Sequence, residues 1–224
     1  MENIVPKSLL DCVPVIPVVI VEDLDSAVPI ARALVAGGLP MIELTLRTPV
    51  AMEAIRRIAV EVPEILVGAG TIIEPGQAKE AAQAGAQFLV SPGGTSTLLR
   101  AMADTGLPHL PGVATVSEIL NLLEQGYEEM KFFPSEAAGG AAFLKAIHSP
   151  VPAARFCPTG GITASNASSY LALPNVGCVG GSWITPADEV KAEDWGRLAE
   201  LATAAGRLRR RHGVAPEPTE GSLD

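Results

Sequence analysis

The chain of 224 residues is long enough for one large domain, and α/β barrels often reach this size as a single domain. Apolar residues make up 48% of the sequence and charged residues 18%, which predicts a packed core and excludes a disordered chain. The 25 acidic and 16 basic residues give a formal net charge of −9, and aromatic residues are only 4%. These values argue against general nucleic-acid binding.

Targeting and membrane segments are not predicted. The first residues carry acidic side chains and no apolar run after a basic start, so they do not predict a signal peptide. The longest apolar stretch, 13–21, is interrupted by Pro17 and is too short to span a bilayer. The three cysteines show no CxxC spacing and predict neither a disulfide framework nor a zinc site. We expect a cytoplasmic protein that binds no membrane.

Short runs rich in β-branched residues alternate with alanine-rich stretches along nearly the whole chain. The predicted strands begin near Val13, Met41, Leu66, Gln87, Pro108, Glu129, Arg155 and Gly177. The predicted helices cover about 24–36, 49–60, 75–84, 96–104, 117–125, 142–147, 166–173 and 192–210. Eight strand–helix units in one domain are typical of a closed (β/α)8 TIM barrel. A doubly wound α/β sheet is the alternative, although it more usually has five or six units.

Some helix boundaries are also predicted. Proline is tolerated at the first position of a helix, so Glu74-Pro75 is expected to begin the third helix. Ser117, followed by Glu118, is expected to cap the fifth helix.

One barrel domain is expected over 1–206, with a cap segment before Val13 at the barrel bottom. A tail follows over 207–224, where a basic cluster precedes a stretch rich in Pro, Glu and Gly. We interpret the basic cluster as charge that stabilises a helix C-terminus, followed by a frayed end, with an anion-binding patch as the alternative.

Polar side chains interrupt the second predicted strand, although strands of a parallel barrel are usually apolar on both faces. Strand alternation places Glu43, Thr45 and Arg47 on one face, towards the barrel interior or its mouth. A buried carboxylate and guanidinium are costly unless they pair or bind a ligand. Arg47 lies at the C-terminal end of the strand, where barrel active sites lie, so we favour a ligand role over a structural Glu43–Arg47 ion pair.

A lysine interrupts the sixth predicted strand in the same way. Met130 and Phe132 are expected to face the helices, so Lys131 faces the interior. Burial disfavours an ammonium ion, and a neutral amine is a nucleophile towards carbonyl groups. Lys131 is therefore predicted to form a Schiff base. A structural salt bridge with Glu43 is the alternative.

Glycine pairs follow the last two predicted strands, at Gly160-Gly161 and Gly180-Gly181, and the second pair precedes the hydroxyl of Ser182. Barrels commonly bind phosphate at these two loops, where glycine lets backbone N–H groups approach the anion. The pairs predict a phosphate site, with plain turns as the alternative. The GAGT segment at 68–71 leaves room at the mouth, where the hydroxyl of Thr71 could reach a ligand.

Metal and cofactor sites are not predicted. His109, His148 and His212 are far apart in sequence and show no ligand spacing, and carboxylates do not cluster. No Ser or Cys lies on a nucleophile elbow. We therefore predict that Lys131 and Glu43 carry the chemistry.

Seven segments together resemble one known family, the bacterial 2-dehydro-3-deoxy-phosphogluconate (KDPG) aldolases, also called 4-hydroxy-2-oxoglutarate aldolases. These segments are IELTLRTP, EVPEILVGAGT, SPGG, PGVATVSE, KFFPSEAAGG, FCPTGGI and VGGSW. The resemblance runs from about Val13 to Pro186. It implies a metal-free, cofactor-free class I aldolase, a homotrimer that cleaves phosphorylated KDPG to pyruvate and D-glyceraldehyde 3-phosphate. It also implies action on 4-hydroxy-2-oxoglutarate and a place in the Entner–Doudoroff pathway.

The resemblance also implies roles for individual residues. Lys131 matches the Schiff-base lysine and Glu43 the general acid/base. The substrate-binding residues that it implies are Arg47, Thr71, Pro92, Thr159, Gly160, Gly161, Gly181 and Ser182. The first two of these match residues that bind the keto acid, the next two line the pocket, and the last four bind the phosphate.

Other functions remain open from the sequence. The same retro-aldol chemistry could act on another 2-keto-3-deoxy sugar acid, and oxaloacetate decarboxylation is an expected side activity. A non-catalytic barrel that binds phospho-sugars would need the glycine loops but not an inward lysine. An isomerase without covalent chemistry would keep the carboxylate and tolerate loss of the lysine.

Overall fold

Strands and helices alternate through the part of the chain that the computed structural model describes, residues 8–208. The strands β1 to β9 are Val15–Val19, Met41–Thr45, Leu66–Gly70, Phe88–Val90, His109–Leu110, Gly112–Val113, Glu129–Phe132, Arg155–Pro158 and Val179–Gly181. The helices α1 to α9 are Ala27–Ala36, Ala51–Glu61, Pro75–Gln83, Ser96–Ala103, Val116–Glu124, Gly140–His148, Ala167–Leu171, Ala187–Lys191 and Trp195–Gly206. Short 3₁₀ turns cover Leu9–Asp11 and Leu24–Ser26.

The strands form two parallel sheets that together make a barrel. Six strands pair in the order β5-β4-β3-β2-β1-β9 and three in the order β6-β7-β8. β5 and β6 are two halves of one predicted strand, separated by Pro111, which has no N–H to donate. Isolated bridges between Phe156 and Val176 and between Thr159 and Gly180 join β8 to the β9 region. The (β/α)8 barrel predicted from the sequence is confirmed.

Strand register fixes which side chains share a face. Glu43 of β2 pairs with Val18 of β1 and with Gly68 of β3. Lys131 of β7 pairs with Gly112 of β6 and with Cys157 of β8. Because side chains of paired residues in parallel strands point the same way, these six positions lie on the interior side of the barrel.

The outward face of β7 packs against helices, as predicted. The ring of Phe132 stacks on that of Phe143 in α6, with centroids 5.0 Å apart and an interplanar angle of 3°. It also meets the ring of Phe156 edge-on at 6.4 Å. This apolar packing leaves Lys131 on the opposite face of the strand.

Two predicted helix starts can be compared with the structure. Helix α3 begins at Pro75, as expected from the Glu74-Pro75 pair. The prediction for α5 was wrong, because the cap is Thr115 and not Ser117. The Thr115 hydroxyl accepts from the N–H of Glu118, and the Glu118 carboxylate accepts from the N–H of Thr115, which makes a reciprocal capping box.

An ion cluster lies at the bottom of the barrel, away from the C-terminal ends of the strands. Arg155, at the start of β8, contacts Asp11 at 2.7 Å and Glu129, at the start of β7, at 3.0 Å. The hydrogen bond to Asp11 is the main cause that raises the pKa of Arg155. The Ser8 hydroxyl also donates to Glu129. These contacts tie the segment before β1 to the bottom of β7 and β8.

Helix α9 ends at Gly206, and the part of the predicted tail from 209 onwards lies outside the described residues. Among residues 8–208, no helix combines the length and apolar character needed to cross a membrane.

We expect Gly112→Ala to destabilise the barrel, because a Cβ at Gly112 would overlap the backbone carbonyl of Pro92. The loop after β4 would have to move, and overpacking of this kind lowers the free energy of unfolding by about 1–3 kcal/mol. Urea denaturation followed by circular dichroism measures the loss. Gly76→Ala in α3 is the control, since a Cβ there meets open space and should raise the free energy of unfolding by up to about 1 kcal/mol. Equal losses in both variants would contradict this explanation.

Candidate active site

A buried ion pair lies in the interior of the barrel. Nζ of Lys131 lies 3.1 Å from Oε1 of Glu43, and the two residues are only 4% and 2% exposed. Strand alternation predicted that both side chains face the interior, and the structure brings them into contact from opposite sides of the barrel. Removal of a charge from water costs several kcal/mol per ion. Each of these two charges therefore needs the other as a close partner, or a function that requires its burial.

A glycine in the neighbouring strand leaves space for the carboxylate. Gly70, the last residue of β3, pairs with Thr45, and a Cβ at Gly70 would overlap Oε1 of Glu43. Thr45 does not enter the ion pair, because its hydroxyl donates to the carbonyl of Val19 at 3.1 Å. The sequence indicated that the segment 68–71 leaves room at the mouth, but it did not indicate that Gly70 makes room for the Glu43 carboxylate. The available signal was the position of Gly70 at the end of the strand next to the one that carries Glu43.

The lysine has two further neighbours that sequence reasoning did not single out. Its Nζ lies 5.3 Å from the centre of the Phe133 ring, within the range of a cation–π interaction. Cys157 is its register partner and is 3% exposed, with Sγ 3.8 Å from the Thr159 hydroxyl. The amine therefore lies between an aromatic ring and a carboxylate, beside a strand position that carries a buried thiol.

Arg47 and Thr71 contact each other at the mouth of the barrel. Nε of Arg47 donates to Oγ1 of Thr71 at 3.1 Å, and the arginine is exposed. Among the described residues the Nη atoms have no partner, so the predicted alternative of a Glu43–Arg47 ion pair was wrong. Thr71 has φ of 60°, which is rare for a β-branched residue. Backbone strain of this kind clusters at functional sites.

Pro92 reaches the site through its backbone. It lies directly against Gly112, which pairs in register with Lys131. The loop after β4 therefore lies next to the strand position that pairs with Lys131.

The first glycine pair has the conformation of a tight loop. Gly160 and Gly161 have φ of 97° and 80°, in the left-handed region that favours glycine. The preceding Thr159 is 6% exposed and bridges to Gly180, so the loops after β8 and β9 are neighbours. The structure thus brings together the two predicted phosphate loops.

Close packing explains the second glycine pair. A Cβ at Gly180 would overlap the Thr159 hydroxyl, and a Cβ at Gly181 would overlap the ring of Trp183. Neither position has room for a side chain, and the backbone φ angle of neither glycine lies in the left-handed region. Ser182, which follows them, is exposed.

A cavity of about 500 Å³ adjoins the mouth at the ends of β1 and β9. Of the predicted site residues only Ser182 lines it, although Val18, the register partner of Glu43, forms part of its wall. The acidic side chains in its lining are Glu22, Asp23, Asp25 and Glu193. Lys191 also lines the cavity, but the four acidic side chains outnumber it and disfavour a phosphate there. Neither Lys131 nor Glu43 lines the cavity, which is therefore distinct from the ion pair.

The histidines lie outside the site. His109 contacts the carbonyl of Leu107 and the hydroxyl of Tyr127, which is a packing arrangement. His148 ends α6, and His212 is outside the described residues. Within 8–208 no group of three or more His, Cys, Asp or Glu side chains is placed to hold a metal ion.

Comparisons with known proteins agree with one another. The family profile described as KDPG and KHG aldolase matches residues 7–201. The KHG/KDPG aldolase of Escherichia coli is 51% identical over 199 residues, which cover 89% of this chain and 93% of that protein. The 2-dehydro-3-deoxy-phosphogluconate aldolase of Dickeya dadantii is also 51% identical, with the same coverage.

Solved structures show the same similarity. The KDPG aldolase of Legionella pneumophila, with pyruvate captured as a covalent carbinolamine intermediate, has a TM-score of 0.86 and 48% identity, over 88% of this chain and 96% of that one. The 2-keto-3-deoxy-6-phosphogluconate aldolase of Zymomonas mobilis with 3-phosphoglycerate has a TM-score of 0.86 and 44% identity, over 90% and 95% of the two chains. Since the profile and these relatives cover most of its length, the chain belongs to the KDPG and KHG aldolase family.

Proposed function

We propose that this protein is a class I aldolase that cleaves 2-dehydro-3-deoxy-6-phosphogluconate to pyruvate and D-glyceraldehyde 3-phosphate, and that it also acts on 4-hydroxy-2-oxoglutarate. The observation that carries the proposal is the buried Lys131–Glu43 pair at 3.1 Å inside the barrel. A nucleophilic amine and an acid/base group in contact are what Schiff-base chemistry requires.

The reaction begins at the lysine. Glu43 accepts a proton from Lys131, and the neutral amine adds to the C2 carbonyl of the keto acid. Loss of water gives a protonated imine at C2. This cation withdraws electrons from the C3–C4 bond and weakens it.

Proton transfer completes the cycle. Removal of the C4 hydroxyl proton, by Glu43 through a water molecule, lets the C3–C4 bond break and releases the aldehyde. The enamine left on Lys131 is then protonated at C3, and hydrolysis of the imine releases pyruvate. One carboxylate serves these steps in turn because it alternates between base and acid.

The substrate carboxylate is assigned to Arg47. Its guanidinium is oriented by the Nε contact to Thr71, which leaves the terminal nitrogens for a two-point contact with a carboxylate. Pro92 and Thr159 line the pocket around the reacting carbons.

The phosphate is assigned to the loops after β8 and β9. Gly160 and Gly161 present backbone in a conformation that other residues rarely adopt, and Gly181 and Ser182 follow on the neighbouring strand. Backbone N–H groups and a hydroxyl are suitable ligands for a phosphate.

Pyruvate with borohydride should label Lys131 alone, because reduction traps the imine as a stable pyruvyl adduct that peptide mass mapping locates. Lys131→Ala should give no adduct and lower kcat by at least about 1000-fold. Lys145→Ala, on the exposed side of α6, is the control and should keep both adduct and activity. An adduct on another lysine would overturn the site assignment. No adduct at all would favour the isomerase or the non-catalytic barrel.

Arg47→Lys should chiefly weaken substrate binding. Lysine keeps the positive charge but cannot make the two-point contact, so we expect KM to rise about tenfold while kcat stays within about threefold. Steady-state kinetics of cleavage measures both constants. A loss confined to kcat would contradict the assignment and place Arg47 in the chemical step.

We also infer that the enzyme is a homotrimer in the cytoplasm, as the family resemblance implies. The cysteine spacing in the sequence predicts no disulfide framework, which is typical of a protein of a reducing compartment. Within residues 8–208 the large apolar side chains that are exposed are Ile20, Val60, Ile73, Val116 and Leu120, and some of these would be covered in an assembly. Light scattering should give three times the 23.2 kDa mass of the chain. A monomeric mass at micromolar concentration would rule out the trimer.

A further inference from the structure

The loop after β7 and the loop after β8 are joined by their backbones. The N–H of Ser135 donates to the carbonyl of Thr159 at 2.8 Å, and the N–H of Glu136 donates to the carbonyl of Gly160 at 3.1 Å. Ser135 is fully buried. The segment that follows the lysine strand is therefore held directly against the loop that we assign to the phosphate.

A tyrosine from α7 forms hydrogen bonds with both residues of the first loop. Tyr170 is 1% exposed, and its hydroxyl donates to Oε1 of Glu136 and accepts from the hydroxyl of Ser135 at 3.2 Å. Burial and the hydrogen bond to Glu136 raise the pKa of Tyr170. The hydroxyl thus stays protonated and continues to donate to the carboxylate.

The carboxylate that Tyr170 holds is close to the predicted phosphate loop. The side chain of Glu136 lies on Gly161, since a Cβ at Gly161 would be 2.5 Å from Cγ of Glu136. If the carboxylate rotated over the exposed face of this loop, it would lower the affinity for phosphate several-fold. Like charges a few ångströms apart repel each other by about 1 kcal/mol or more.

We propose that Tyr170 is a positioning residue for phosphate recognition, whose hydroxyl keeps the Glu136 carboxylate turned away from the anion-binding face of Gly160 and Gly161. The inference rests on the proposed function, because it takes this loop as the phosphate site. Neither Tyr170 nor Glu136 was singled out from the sequence, where they lie 34 residues apart.

Tyr170→Phe removes the hydroxyl and keeps the ring. We expect its KM for the phosphorylated substrate to rise about five- to tenfold, the effect of one lost charge-assisted hydrogen bond and a freed carboxylate. Its kcat should stay within about twofold, and its kinetics with the unphosphorylated 2-dehydro-3-deoxygluconate should not change. The defect should shrink at high ionic strength, because salt screens an exposed charge.

Two further variants separate charge from structure. In the Glu136→Gln background the Tyr170→Phe change should alter KM by less than about twofold, because no charge remains to be held. Ser135→Ala is the matched control, since it removes the other hydrogen bond of the Tyr170 hydroxyl and leaves the carboxylate tethered. It should not discriminate between the two substrates.

The outcomes distinguish this proposal from the proposed function. A Tyr170→Phe defect of equal size for both substrates, or one that persists in the Glu136→Gln background, would show a merely structural role. If Tyr170→Phe does not fold, Glu136→Asp is the second test, because the shorter side chain keeps the charge but does not reach the Tyr170 hydroxyl. Its KM for the phosphorylated substrate should be about fivefold higher than that of Glu136→Gln, and equal KM values for these two variants would overturn the proposal. Equal kcat/KM of the wild-type enzyme for both substrates would overturn the phosphate assignment itself.

Discussion

The contact between Lys131 and Glu43 is the constraint on which the rest of the structure depends. Two charges lie 3.1 Å apart in a barrel interior where each is almost completely buried, and desolvation opposes their being there. A glycine in the neighbouring strand makes room for the carboxylate, because a Cβ at Gly70 would overlap Oε1 of Glu43. The carboxylate thus occupies space that a side chain on β3 would otherwise fill.

The site is divided among strands whose ends meet only after the barrel closes. The carboxylate comes from β2 and the amine from β7, while the loops after β8 and β9 supply the backbone assigned to the phosphate. Thr71 and Arg47 join the ends of β2 and β3 by one hydrogen bond. Each strand therefore contributes one chemical function, and parallel pairing sets the distances between them.

The alternation of eight predicted strands and helices was sufficient to predict the barrel. The alternation of side chains along two strands predicted the inward direction of Glu43 and Lys131, because charged residues are conspicuous in strands expected to be apolar. Local signals were less exact. The cap of α5 is Thr115 and not its neighbour Ser117, since both residues satisfy the composition of a cap and only the spacing to Glu118 separates them. The contact of Tyr170 with Glu136 could not be predicted, because it depends on how α7 packs beneath a distant loop.

The ion cluster at the barrel bottom bears on the chemistry at the other end. Glu129 and Lys131 belong to the same strand, and Arg155 links Glu129 to Asp11 ahead of β1. A strand is nearly inextensible, with about 3.3 Å per residue, so the anchor at Glu129 also sets how far the lysine reaches along the barrel axis. A change in the segment before β1 that moves Glu129 along the barrel axis should therefore also move Lys131, the proposed Schiff-base lysine, by a similar distance.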